Sequence, residues 1–129
     1  MSTPLQTIKE HYAASARGDL DGMVAPFAPD ITWTEMAGFP YAGTYIGPDA
    51  VKGQVFQRIA VEWDGYQAVP EHFVCEGGQV VAFGTYSGTY RGTGRSMVAR
   101  FVHHWTLADG MVVRFEQYTD TRLVAEAMP

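Results

Sequence analysis

Residues 96–119, SMVARFVHHWTLADGMVVRFEQYT, form two alternating runs on either side of Ala108-Asp109-Gly110. A period of two marks a strand with one buried face, and a central Asp-Gly pair marks a hairpin turn. In the first run Met97, Ala99, Phe101, His103, Trp105 and Leu107 share one face, against Val98, Arg100, Val102, His104 and Thr106 on the other. The first set is the inner one. In the second run Met111, Val113, Phe115, Gln117 and Thr119 are expected inside, with Arg114, Glu116, Tyr118 and Asp120 opposite.

Upstream of this hairpin, Tyr66 to Cys75 and Gln79 to Tyr90 read as two more strands, with turns at Glu76-Gly77-Gly78 and Arg91 to Arg95. Helical signals fill the first half of the chain. Thr3-Pro4-Leu5-Gln6 is a capping box with proline at the first helical position, followed by Leu5, Ile8, Tyr12 and Ala16 at helical spacing. Gly18 closes that helix. Asp19 caps a short second helix that carries Leu20, Met23, Val24 and Phe27 inward and is stopped by Pro29. Ile31 to Met36 reads as a strand, and the glycine-rich and proline-containing segment Ala37 to Gly47 as a loop over a cavity mouth. A third helix starts at Pro48-Asp49 and presents Val51, Val55, Phe56 and Ile59 as an apolar stripe until Asp64-Gly65. Helices first and a meander afterwards is an α+β pattern, with three helices gathered on one face of a curved antiparallel sheet. No linker or repeat interrupts it, so residues 1–129 are expected to form a single domain.

Composition narrows the function. Apolar types make up 47% and charged types 18%, the usage of a folded globular chain. Nine Lys and Arg against fourteen Asp and Glu give a net charge of −5, with no basic cluster, which argues against a nucleic acid partner. Cys75 stands alone, so neither an intramolecular disulfide nor a cysteine-based zinc site is expected, in keeping with a cytoplasmic location. No run of 18 apolar residues and no signal-peptide core occurs, so no membrane partner is expected. Three Trp, seven Tyr, seven Phe and six Met are many for a small core. Such residues line apolar ligand pockets as readily as they fill a core.

Several chemistries lack their motifs. The glycines of Gly88 to Gly94 lie between two strands, the wrong context for a phosphate loop. His103 and His104 are adjacent on a strand and point to opposite faces, so they cannot chelate one metal ion together. No nucleophile elbow is present. Acid–base chemistry and simple binding remain. Glu35 shares a strand face with Ile31 and Trp33; if that face is buried, desolvation raises its pKa and makes it a better proton acceptor. Turning to solvent at the strand end is the alternative. His103 lies in an aromatic row where burial keeps the imidazole neutral, with one N–H for a developing oxyanion. A hydrogen-bonded core histidine is the alternative there. Gln117 is an inner polar group, and a bulge near the strand end would turn Asp120 or Tyr118 toward the pocket.

Gly18-Asp19-Leu20-Asp21-Gly22-Met23-Val24, with Phe27-Ala28 and Asp30 after it, resembles the opening of the ketosteroid isomerases, which have the nuclear-transport-factor-like fold. The likeness continues through Ala42-Gly43-Thr44, His104-Trp105-Thr106-Leu107 and Gly110-Met111-Val112-Val113. His103 to Trp105, Asp109-Gly110 and Gln117-Tyr118-Thr119-Asp120-Thr121 are more similar still to the SnoaL-like proteins, a branch that includes polyketide cyclases. The resemblance implies a cone-shaped sheet around three helices, a deep apolar pocket and commonly a homodimer. Through Gly18 to Gly22 it places the isomerase's base on Glu35, its oxyanion-binding tyrosine on His11 beside Tyr12, and its protonated aspartic acid on His103. Likeness to the cyclases places an acid/base on Asp120.

The expectation is therefore a cofactor-free enzyme that moves a proton next to a carbonyl of an apolar small molecule. Glu35 would be the base. His103 would donate to the enolate oxygen with help from His11 or Tyr12, Asp120 would be the alternative acid/base, and no metal would take part. Trp33, Phe56, Phe101, Trp105, Phe115, Gln117 and Tyr118 would shape the pocket with Tyr12. A non-catalytic protein that holds a lipophilic ligand, or a dimeric assembly module, is the alternative on the same fold. An epoxide-opening hydrolase ranks last, because parity puts Arg100 on the outer face.

Overall fold

The computed structural model describes residues 2–129. Thr3 sets the start of α1 (Pro4–Ala16): its hydroxyl accepts from Gln6 N at 3.2 Å, while Gln6 Oε1 accepts from Thr3 N at 3.0 Å. Two backbone donors that the helix leaves open are thereby satisfied. The buried stripe of α1 is Thr7, Ile8, His11, Tyr12 and Ala14, which keeps the expected Ile8 and Tyr12, whereas Ala16 is exposed. Gly18 turns the chain at φ 70°, and the Asp19 carboxylate caps α2 (Leu20–Val24) by accepting from Gly22 N at 2.9 Å.

Phe27 does not extend α2. It opens β1 (Phe27–Glu35), a strand that begins four residues earlier than expected and contains Pro29. The pairing of β1 slips between Phe27 and Thr32, and such an irregularity is where a strand tolerates a residue without an N–H. The segment read as a loop holds a short edge strand, β2 (Gly43–Ile46), paired antiparallel with β1. Phe39 and Tyr41 from the same segment are buried in the core, where Tyr41 donates to Glu62 Oε1 at 2.5 Å and accepts from Trp63 Nε1 at 2.9 Å. The third helix is composite: α3 (Pro48–Val51), a π-helical turn (Lys52–Phe56) and α4 (Gln57–Glu62).

The sheet is completed by β3 (Trp63–Glu76), β4 (Gln79–Tyr90), β5 (Ser96–Ala108) and β6 (Met111–Thr119). Its strand order is β2-β1-β6-β5-β4-β3, open at both edges. The β3 to β6 meander is antiparallel as expected, but β1 joins β6 in parallel. Two irregularities in β3 and one between β5 and β6 accompany the curvature of the sheet, since bulges bend and twist a strand. The last of these resets the parity of β6, so Val112 is buried in place of Met111 and Val113, while Phe115 and Gln117 keep their inward places. On β5 all six inner residues are buried as expected. Gly84 on β4 is required by close approach: a Cβ there would lie 2.3 Å from the Val69 carbonyl oxygen and 2.4 Å from the Phe101 ring. The chain ends in α5 (Thr121–Ala127), a helix absent from the expected pattern, which packs on β5 and buries Val124 and Ala127.

Candidate active site

Between the helices and the concave side of the sheet lies a cavity of about 160 Å³. Its floor is aromatic: Trp33 from β1, Trp105 from β5, Phe115 from β6 and Phe56 from the π-helical turn, with Trp33 and Phe115 stacked at 3.6 Å between ring centroids. Its less buried lining residues, Ser15, Gly18, Leu20, Ala60, Tyr66 and Ala68, mark the mouth between the α1–α2 turn, α4 and β3. No residue from 37–47 lines it, so the expected loop does not control access. Instead, that segment is anchored in the core by Phe39 and Tyr41.

Glu35 is the exceptional group in this wall. The last residue of β1, it is 4% exposed and lines the cavity, and its Oε2 is buried with no hydrogen-bond partner among the described residues. The nearby Trp33 indole N–H makes no hydrogen bond of good geometry, and it too lacks a partner. Burial therefore dominates and pushes the Glu35 carboxyl up from 4.5 to about 8, with a small opposing pull from Trp33. The alternative in which Glu35 turns to solvent does not occur. Two tyrosines share the wall. Tyr66 from β3 and Tyr86 from β4 are both held neutral by burial, and the Glu35 charge pushes each further up.

The two histidines differ from expectation in what they can donate. His11 lines the cavity, but its Nδ1 lies 2.9 Å from the Met23 carbonyl, which can only accept. Nδ1 therefore carries the proton, and Nε2 presents a lone pair. Burial lowers its pKa to about 4, so this ring is an acceptor and not an oxyanion donor. His103 also lines the cavity and burial holds it neutral, yet both nitrogens are already engaged: Nδ1 with Tyr12 Oη at 2.6 Å and Nε2 with Tyr86 Oη at 2.5 Å. It has no N–H left for a ligand. The expected direct donation from His103 is corrected on that ground.

Of the other expected residues, Trp33, Phe56, Trp105 and Phe115 meet in the wall, while Tyr12, Phe101 and Gln117 stand behind it. Phe101 stacks on His103 at 3.9 Å, and Gln117 donates to Tyr86 Oη at 2.9 Å. Asp120 and Tyr118 are not brought in. No bulge turns Asp120 inward; it is exposed and caps α5 by accepting from Leu123 N at 3.2 Å. Tyr118 remains on the outer face. Arg100 is also outside, 3.2 Å from Glu71, so no arginine reaches the cavity. Sequence reading missed Tyr66 and Tyr86; Tyr86 was legible by parity, since Val80, Ala82, Gly84 and Tyr86 alternate inward on β4, whereas the pairing of β3 slips between Asp64 and Gln67, where Tyr66 lies. Among the described residues no group of three His, Cys, Asp or Glu side chains could hold a metal ion, and no helix is long and apolar enough to cross a membrane.

A curved, open sheet folded over helices around an apolar cavity with one buried carboxyl places the chain among α+β proteins that enclose a cavity between helices and sheet. The SnoaL-like domain profile matches residues 8–115, and the chain belongs to that family. It is similar to an NTF2-like protein from Burkholderia thailandensis, at 50% identity and a TM-score of 0.96 over 100% of this chain and 99% of the other. An NTF2-like protein of unknown function from Burkholderia pseudomallei is 33% identical, with a TM-score of 0.89 and 98% of each chain covered. TerC, crystallised with polyporic acid, is 29% identical, with a TM-score of 0.88 and 98% of each chain covered. No curated protein matches.

Proposed function

We propose that this protein is a cofactor-free enzyme that transfers a proton next to the carbonyl of a small, largely apolar ring compound, with Glu35 as the base. The observation that carries this reading is the buried, unpartnered Glu35 carboxyl in an aromatic cavity, because an ordinary core would not retain such a group. In the forward step the carboxylate takes a proton from the carbon beside the carbonyl, leaving an enolate. The resulting carboxylic acid returns that proton to the γ-carbon, moving the double bond into conjugation with no net redox change. The aromatic floor holds the ring and keeps water from the enolate. The cavity is about the size that accepts one benzene ring, so single-ring ketones are the first substrates to try. TerC, crystallised with polyporic acid, supports a small organic ligand on the same fold.

A carboxyl with a pKa near 8 is about nine-tenths protonated at pH 7, which fixes the sign of the pH dependence. The reactive form is the carboxylate, so kcat/KM for isomerisation of cyclohex-3-enone should rise with pH and level off above about 8. Titration of the Glu35 carboxyl carbon by NMR should give the same midpoint. A carboxyl that titrates at the ordinary glutamate value would remove the base from the mechanism and favour simple ligand binding.

We also infer a homodimer through the outer face of the sheet, where Val69, Val74, Val98 and Tyr118 are exposed. Sedimentation should give twice the chain mass, and Val98→Asp should yield monomers. A wild-type monomer at high concentration would reject the dimer.

A further inference from the structure

His103 stands in the middle of a buried chain of hydrogen bonds whose two ends have fixed polarity. At one end the Met36 N–H donates to Gln117 Oε1 at 3.3 Å, which turns the Gln117 amide nitrogen toward Tyr86, whose oxygen accepts at 2.9 Å. At the other end the Trp105 indole N–H, a donor only, reaches the Tyr12 oxygen at 3.0 Å. Each tyrosine oxygen thus accepts one bond from outside the ring. Between them a neutral imidazole offers one N–H and one lone pair, so one tyrosine donates to His103 and the other accepts from it. The accepting tyrosine retains a proton that the chain does not use.

Where that proton goes decides the arrangement. Were Tyr12 the acceptor, its hydroxyl proton would be stranded in packed core: Tyr12 is not part of the cavity wall, rings of Phe73, Phe101 and Trp105 surround it, and no other described group lies within hydrogen-bond distance of its oxygen. A buried donor without an acceptor is strongly disfavoured. Were Tyr86 the acceptor, the spare proton could point into the cavity, which Tyr86 lines.

We propose that Tyr86 is the cavity's hydrogen-bond donor to a ligand oxygen, and that His103 holds it in that role as a positioning residue in the Nε2–H tautomer. His11 complements it, since the Nε2 lone pair accepts from a ligand hydroxyl. The site therefore suits single-ring ketones and phenols, molecules that place one oxygen on an otherwise apolar ring. The substrate class deepens the proton-transfer reading and rests on it, whereas the donor assignment stands on the hydrogen-bond geometry alone.

Two measurements on the full chain test the assignment. In protein labelled with 15N at histidine, the imidazole shifts should show His103 protonated at Nε2 and bare at Nδ1; the opposite tautomer overturns the proposal. Binding of 4-nitrophenol should weaken about tenfold in Tyr86→Phe, while binding of toluene, which has no oxygen, stays unchanged. Equal weakening of both ligands, or none for the phenol, overturns it as well. Phenol binding that depends on Tyr86, found together with no α-proton exchange of cyclohexanone in heavy water, supports Tyr86 as donor and rejects the proton-transfer reading.

Discussion

Glu35→Gln is expected to lower kcat/KM for proton transfer by about 10²- to 10⁴-fold and, above pH 8, to stabilise the fold by about 5 kcal/mol. Both effects come from the same burial. The loss of rate is the share that a positioned base contributes, and an amide cannot accept a proton from carbon. The gain in stability follows by linkage. The folded carboxyl keeps its proton up to about 8 and the unfolded one only to 4.5, so the wild type loses about 1.4 kcal/mol per pH unit as pH rises across that window. Glutamine is close to isosteric and stays neutral, so the variant escapes that loss. Below pH 4.5, where both states of wild-type Glu35 are protonated, the two proteins should differ by less than about 1 kcal/mol. Urea denaturation of both proteins at pH 4 and pH 8.5, paired with initial rates, checks it. A variant equally stable at both pH values relative to wild type would mean that Glu35 ionises freely in the folded state.

Strand parity made some of the site legible in the sequence, and long-range contacts hid the rest. Period-two alternation on residues 96–107 put His103 inside, and the shared face of Ile31, Trp33 and Glu35 put the carboxyl inside as well, because strand geometry alone decides which side chains share a face. Alternation carries no information about partners. That His103 is saturated by two tyrosines, and that His11 spends its proton on Met23, depends on contacts between residues 91, 17 and 12 positions apart. The bulge between β5 and β6 was hidden for a similar reason. It exchanges Val112 for Val113 in a run where every residue from 111 to 113 is apolar, so the pattern reads equally well in either register. The helix after β6 depends on Asp120 acting as a cap and not as an acid, and Asp followed by Leu123 and Val124 is an ordinary helix start.

Wild-type stability should peak near pH 6.5 and fall on both sides, by about 2 kcal/mol at pH 8 on the alkaline side. Three buried groups set the shape. His11, with a folded pKa of about 4, and His103, also lowered by burial, bind protons in the unfolded state below 6.5 that the folded state refuses. Their stabilisation is complete above 6.5 and is lost as pH falls toward the folded values. Glu35 works in the opposite direction, since the folded state holds a proton that the unfolded state has released above 4.5. Below 6.5 the unfolded chain takes protons on both histidines that the folded chain refuses, against the one proton it lacks at Glu35, so stability rises with pH toward 6.5. Above 6.5 only Glu35 remains, and stability falls until its folded pKa is passed. In Glu35→Gln the alkaline limb should flatten into a plateau while the acid limb stays. A wild-type curve already flat from pH 6.5 to 8 would show that the cavity does not desolvate Glu35, and the base would then have to be sought elsewhere.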